Sequence, residues 1–288
     1  MTDGFLNVLK PPAMSSHDVV SFVRRTYGIK KVGHAGTLDP AAAGVLPVAV
    51  GKAARFLEYI EGCGKAYRAE LTFGYETDTG DDAGRVTARR DFAAPSLEAA
   101  QRVLASFLGR SLQTPPMYSA LKIGGQKLYD LARRGVSVER PARAIEIGRI
   151  ELLRLDGKTM LFDVECSKGT YIRTLCADIG AKLGCLAVMS FLVRTRSASF
   201  CLEASLTLEE IASSPAAALQ PIDSALGHLP ALVLDAAQAA AFRQGKKLRL
   251  AGGPRGIVRV YDEARAFSGV GLYEAEKETL QPEKVLLR

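Results

Sequence analysis

Apolar positions recur along the chain in two rhythms, and the switches between them mark its elements. "GFLNVLK" (4–10) is a nearly unbroken apolar run stopped by Pro11 and Pro12, which predicts a strand. "SSHDVVSFVRRTYG" follows with Val19, Phe22 and Val23 on one helical stripe. Ser15 and Asp18 stand at capping-box spacing, and Gly28 supplies the stop. "VLPVAV" predicts a short buried strand or turn, and "KAARFLEYI" a helix. "AYRAELTFG" alternates, with Tyr67, Ala69, Leu71 and Phe73 on one face and Arg68, Glu70 and Thr72 on the other. "TDTGDDAGRV" reads as an acidic turn and "SLEAAQRVLASFLG" as a helix closed by Gly109. "RAIEIGRIELLRL" and "TMLFDVEC" predict paired strands joined at Asp156 and Gly157. A helix over "GTYIRTLCADIGAKLG" turns Ile172, Leu175, Cys176, Ile179 and Leu183 inward. "FLVRTRSASF" predicts a strand, and Thr207 with Glu210 boxes the start of a further helix.

The tail has a different texture. "SSPAAALQPIDSALGHLP" reads as an alanine-rich linker, "DAAQAAAFRQG" as one short helix, and "GIVRVYDEARAFSGVGLYE" as a hairpin. Strands and helices mix without a steady βαβ rhythm, so the expected class is α+β. Two units are expected, a larger one over 1–225 and a small β-rich one over 226–288.

With 288 residues and 48% apolar content, the chain can bury a core of that size. It holds no run of eighteen apolar residues, so no membrane span is expected. "MTDGFLNVLKPP" is too short and too polar for a secretory leader. The five cysteines are odd in number and lack a C-x-x-C pair, which fits reduced thiols in a cytoplasm. The three histidines (17, 34 and 228) are dispersed, so no metal site is expected. The net charge of +7 favours a polyanionic partner. Between Arg110 and Arg143 seven Lys/Arg face two acids, and the six Lys/Arg from Arg243 to Arg259 face none. Two such segments can be two contacts on one long anion such as RNA, or two solvated surfaces.

One stretch stands apart. "KVGHAGTLDPAAAGVLPVAVGKAAR" (31–55) is glycine-punctuated, built mostly of small residues, and holds a single acid, Asp39. Asp39, Pro40 and Gly44 have the order of N-cap, first helical position and stop, so "TLDPAAAG" reads as one capped helical turn. Alternatively, the small residues admit another molecule close to the backbone, and the lone carboxylate acts on it. Phosphate-loop and dinucleotide spacings fail at Gly44–Ala53 and at Gly269, and Asp78, Asp81 and Asp82 lack calcium-loop spacing.

That stretch strongly resembles the signature of the bacterial TruB-type tRNA pseudouridine synthases. "NVLKPPAMSSHDVV" resembles the family's K-P motif and "KAYRAELTFGYETDTGDDAG" its tyrosine motif. "PPMYSALKIGGQKLYDLARRG" is similar to its RNA-gripping thumb, and "CSKGTYIRTLCADIGAKLG" to its arginine motif. The tail resembles a PUA-type RNA-binding domain. The resemblance implies a catalytic domain over 1–225 built on a mixed or antiparallel sheet with flanking helices, a thumb at about 114–143, and a PUA-like domain over 226–288. It further implies isomerisation of the T-loop uridine at position 55 of tRNA, with no cofactor, no membrane, no obligatory protein partner and a monomeric enzyme. Asp39 falls on the catalytic aspartate, Tyr67 on the active-site tyrosine and Arg173 on the arginine that pairs with the aspartate. His34 falls on the histidine that holds the T loop open. Lys10 and Pro11 fall on the buttress of the pocket, Asp81 on an acid of the "TD-x-x-D" turn, and Thr195 on the pocket-roof position. Arg133, Arg134, Lys246 and Lys247 are the candidate phosphate contacts. The resemblance leaves open whether Asp39 attacks C1′, attacks C6 or deprotonates C2′. A non-catalytic tRNA-binding or RNA-folding protein, and a synthase acting on another RNA, remain alternatives; the lone carboxylate and the self-contained thumb respectively argue against them.

Overall fold

The computed structural model describes residues 3–286. Its main sheet is mixed. The path of neighbours runs Gly4–Lys10, Ala43–Val50, Ala187–Ser197, Lys65–Phe73, Thr159–Cys166, Arg143–Leu155 and Gly109–Gln113. Every junction on this path is antiparallel except one. Ala43–Val50 meets Ala187–Ser197 in parallel, through Val193 opposite Ala43 and Arg194 opposite Gly44.

The two rhythms of the sequence have a packing cause. Gly4–Lys10 and Ala43–Val50 are covered on both faces. Leu6, Val8, Leu46 and Val48 meet the helix Ser16–Tyr27, while Phe5, Val45 and Ala49 meet Phe56 and Ile222. Strands buried on both sides read as continuous apolar runs. Lys65–Phe73 is covered on one face only, by the helices Leu97–Ala105 and Ile172–Lys182, and so it alternates. The capping boxes at Ser15–Asp18 and Thr207–Glu210 are both formed, and Gly28 closes its helix in the left-handed conformation.

Outside the Asp39 stretch, three expected elements differ. Gly109 does not close a helix but opens the strand Gly109–Gln113, because the helix already ends at Ala105. "KAARFLEYI" is a 3-10 segment, Gly51–Phe56, that becomes α-helical only at Leu57–Glu61. The alanine-rich stretch after Ser213 is no free linker. Gln220 exchanges both backbone hydrogen bonds with Phe5, at 2.9 and 2.8 Å, and Ile222, Ala225 and Leu226 are buried. Its few apolar side chains suffice because the edge strand Gly4–Lys10 offers unpaired backbone groups.

The tail forms a five-stranded sheet in the order Ala231–Val233, Gly256–Tyr261, Phe267–Glu274, Thr279–Val285 and Leu248–Arg249. Val270 and Phe267 reach into the apolar cluster around Phe5 and Phe56, so this sheet packs against the main body. No described helix is long and apolar enough to cross a membrane.

Candidate active site

The segment 35–42 is a loop tied down from the N-terminal side. Ser16 Oγ accepts from the Leu38 backbone N–H at 2.9 Å and donates to the Leu38 carbonyl at 3.1 Å. Lys10 is fully buried, and its ammonium donates to the carbonyls of Pro11 (2.8 Å), Met14 (2.5 Å) and Pro40 (3.2 Å). Burial lowers the Lys10 pKa to about 8, partly opposed by the charge of Asp39. The Ala13 N–H also donates to the Pro40 carbonyl, at 2.9 Å. The K-P segment thus holds the turn that presents Asp39.

The expected helical turn at Asp39 does not form. A single turn, closed by the Ala42 N–H on the Asp39 carbonyl at 3.1 Å, feeds directly into the strand beginning at Ala43. Sheet pairing captures the next residues: Gly44 sits at φ +111°, and a Cβ there would stand 2.3 Å from the Arg194 carbonyl oxygen. Glycine is therefore required by the close approach rather than by a helix stop.

The Asp39 carboxylate is thereby free to pair with Arg173. Arg173 Nε lies 2.9 Å from Oδ2 and Nη2 lies 3.4 Å from Oδ1. Arg173 is the second residue of the helix Ile172–Lys182, where the dipole disfavours a cation, yet its side chain is only 6% exposed. Other acceptors hold it there: Nη1 donates to the Thr79 carbonyl at 2.7 Å, and Nη2 to the Tyr118 carbonyl at 2.6 Å. Asp81 Oδ2 stands 3.9 Å from Nε, and Asp81 is itself fixed by Thr79 Oγ1 at 2.6 Å. The buried Gln113 clamps the start of the helix, accepting from the Tyr171 N–H at 2.8 Å and donating to its carbonyl at 3.1 Å. The acidic turn and the segment at Tyr118 therefore converge on one guanidinium, and the strand ending at Gln113 holds the start of its helix.

Burial pushes the Asp39 carboxyl above the usual aspartate range. Arg173 and Lys10 oppose that shift, and the Asp81 charge adds to it. The Asp39 side chain keeps 35% exposure, all that remains of an otherwise enclosed ion pair. It opens onto a cavity of about 260 Å³ lined also by Tyr67, Lys65, Ser119, Tyr171 and Leu192. Tyr67 is 8% exposed, on the core face of its strand, and burial raises its pKa while Arg194 lowers it. The cavity thus joins an aromatic ring, an enclosed carboxylate–guanidinium pair and loop backbone built of small residues. Such a set can hold a flat base against a carboxylate fixed by its guanidinium partner.

The remaining candidates lie elsewhere. His34 ends the short strand Val32–His34, is half-buried, and stands outside the lining of this cavity. Burial and Arg194 lower its pKa, and its Nδ1 is buried without a hydrogen-bond partner among the described residues. Thr195 does not roof the cavity and instead borders a depression with Arg149, Glu165 and Arg196. The register explains the correction. Leu192 pairs with Ala69 and Arg194 with Tyr67, so these two share the face of Tyr67, and Thr195, next along the strand, falls on the opposite face; Leu192 is the residue in the lining. Arg133 and Arg134 are exposed at the end of the short helix Leu128–Arg133, beside Lys122 and Gln126. Lys246 and Lys247 are exposed after the helix Ala236–Arg243, and Lys247 already contacts Glu274 at 3.4 Å.

Sequence reading missed Leu192, Lys65, Ser119 and the Tyr118 carbonyl. The first two were legible as positions on strands, but their facing residues depend on register. A backbone carbonyl carries no residue signal at all.

The fold is that of the pseudouridine synthase class. The chain superposes on a chain of a Cbf5-Nop10-Gar1 complex with a TM-score of 0.77 and 28% identity, covering 98% of this chain and 84% of that one. A structure of an H/ACA RNP bound to a substrate RNA containing 2'-deoxyuridine matches with a TM-score of 0.77 and 26% identity, covering 99% and 85%. Residues 24–172 match the family model described as TruB family pseudouridylate synthase (N terminal domain). Residues 173–229 match the tRNA pseudouridylate synthase B C-terminal domain, and residues 230–286 match Pseudouridine synthase II TruB, C-terminal. The tRNA pseudouridine synthase B of Heliobacterium modesticaldum is 45% identical over 99% of this chain and 96% of its own. That of Symbiobacterium thermophilum is 51% identical over 84% of this chain and 82% of its own. The chain belongs to the TruB family of pseudouridylate synthases, isomerases that convert uridine to pseudouridine.

Proposed function

We propose that this enzyme isomerises a T-loop uridine of tRNA, at position 55, using Asp39 as the catalytic carboxylate. The observation that carries this reading is the meeting of Asp39, Tyr67 and Arg173, from three separated segments, around one cavity sized for a single base. In the reaction the C1′–N1 bond breaks, the uracil turns, C5 joins C1′, and the C5 proton is lost as N1 gains one. A uridine inside a folded T loop cannot reach a carboxylate so enclosed, so the nucleotide must leave its stack. Tyr67 stacks on the extruded uracil, and its hydroxyl is placed for the proton leaving C5. Arg173 keeps Asp39 ionised against its burial, because a guanidinium retains its charge where an ammonium would lose it. Lys10 and Pro11 hold the Asp39 turn, and Asp81 helps hold Arg173.

His34, beside the cavity rather than within it, faces the emptied T loop and holds it open. Its lowered pKa leaves a neutral ring suited to stacking. Residues 1–225 carry catalysis, the thumb at 114–143 and a PUA-like unit at 226–288 grip phosphates, and the enzyme acts as a cytoplasmic monomer without a protein partner or cofactor. A purely RNA-binding role does not account for a carboxylate held in an ion pair where polyphosphate would approach. Incubation of unmodified tRNA with the purified protein, followed by pseudouridine mapping, tests the reading. Modification confined to position 55 is expected; modification elsewhere in tRNA, or none, overturns it.

A further inference from the structure

Among the described residues Arg194 is the largest fully buried side chain. Its Nε donates to the Val45 carbonyl at 2.7 Å and Nη2 to the Gly36 carbonyl at 3.1 Å. No carboxylate among the described residues lies within salt-bridge distance of it, and Nη1 has no well-aligned hydrogen-bond partner. An enclosed cation without a counter-ion is costly to a fold, and buried charges are ordinarily paired. Arg173, which also ends beneath the cavity, is by contrast matched by Asp39 and Asp81.

The surroundings of Arg194 indicate a use. It stands at the parallel junction of the main sheet, opposite Gly44, and across the antiparallel junction it pairs with Tyr67. Its guanidinium interacts with the Tyr67 hydroxyl. Gly36 lies three residues before Asp39, and a Cβ at Gly36 would stand 3.7 Å from Nη1. One side chain thus holds the backbone that leads to the carboxylate and stands opposite the tyrosine that lines the same cavity. It does not line the cavity itself.

We propose that Arg194 is a positioning residue for the isomerisation. It fixes the Gly36 end of the Asp39 loop and holds the Tyr67 oxygen, so that the hydroxyl keeps one orientation against the bound base. This rests on the role given above to Tyr67. An arginine suits it because the planar fork holds two carbonyls at once and still leaves Nη1 free to act on the tyrosine beside it, which an ammonium on a flexible stem cannot do. A merely structural buried residue at this place would be served by an apolar side chain of the same length.

Arg194→Met separates these roles. Removing an unpaired buried cation should leave the melting temperature unchanged or raised. Affinity for tRNA should stay within about threefold, while the single-turnover rate at saturating tRNA falls by about a hundredfold or more. Arg194→Lys should recover part of that loss, since it keeps the charge and loses the fork. In a Tyr67→Phe background Arg194→Met should cost a smaller factor, because the part that acts through Tyr67 is already gone and only the hold on the Asp39 loop remains. A wild-type rate in Arg194→Met, or a loss of the same factor in both backgrounds, overturns the proposal. If Arg194→Met does not fold, Arg194→Lys decides: a rate at least tenfold down with unchanged affinity supports it, and a wild-type rate overturns it. Asp39→Asn measured alongside distinguishes this failure from that of the catalytic reading. An active Asp39→Asn refutes the reading itself, whereas an inactive one with a fully active Arg194→Met refutes only the proposal.

Discussion

Arg173 and the pair Arg133–Arg134 carry the same side chain into opposite environments. Arg173 is enclosed and bound to two backbone carbonyls and a carboxylate, and every partner is set by the fold. Arg133 and Arg134 are exposed. Arg133 lies over the Tyr129 ring, and Arg134 reaches Gln126 at 2.7 Å. A desolvated cation in fixed geometry sharpens one charge and one orientation, and salt barely reaches it. Exposed cations are screened, mobile and interchangeable, and they serve affinity for a long polyanion. Under the proposed function, the difference separates chemistry from grip.

The strongest way to break that division is Asp39→Asn. It keeps the shape of the pocket and removes the ionised group, so turnover should fall by about a thousandfold or more while tRNA affinity holds. Tritium release from C5-labelled tRNA measures it, and activity within about tenfold of wild type refutes the assignment. Tyr67→Phe comes next. It should retain affinity and lose about a hundredfold or more in single-turnover rate; a mild effect, with Tyr67→Leu severe, would reduce Tyr67 to a stacking surface.

On the other side of the comparison, neutralising Arg133 and Arg134, or Lys246 and Lys247, should weaken binding and leave chemistry on bound tRNA nearly unchanged. Each lost phosphate contact should flatten the log–log salt slope by about 0.7–0.9. Slopes unchanged in both double variants would make these segments solvated surface only. Lys247 is the weaker member of its pair, because Glu274 already engages it.

His34→Ala probes the border between the two regions. It should slow a fluorescent signal for base extraction on folded tRNA, with much less effect on a minimal substrate whose T loop is already open. Equal slowing on both would move His34 into the chemistry. The smallest effect is a pH shift. Asp39 acts ionised and burial raises its pKa, so activity should rise through a pH above the ordinary aspartate range. Arg173 pulls that pKa down, so in the residual activity of Arg173→Gln the acid limb should move to still higher pH. A limb that stays in place would show that Arg173 serves geometry and not ionisation.

Much of this was legible in the chain. The alternation around Tyr67 placed it on a core face, and the two capping boxes placed their helices. The order of motifs led to Asp39 and Arg173, whose carboxylate and guanidinium lie 2.9 Å apart. Local pattern failed where a distant partner competed. "TLDPAAAG" has the local makings of a helical turn, but sheet pairing at Gly44 offers more hydrogen bonds than one turn can. "SSPAAALQPIDSALGHLP" has a linker's composition, but the exposed edge at Phe5 captures it.

What the sequence by itself determined are the properties that repeat along a chain or reside in one residue type: strand and helix periods, caps, charge blocks, and a lone carboxylate among small residues. What only the tertiary structure decided is which side chains meet. Leu192 and Arg194 share the face of Tyr67 and Ala69, so Leu192 lines the cavity and Thr195 does not, and Arg194 stands opposite Tyr67 with no carboxylate among the described residues at salt-bridge distance. Side chains on a strand alternate with a period of two, so one unpaired residue reverses every facing beyond it. Register is settled by contacts far apart in sequence, which no local pattern contains.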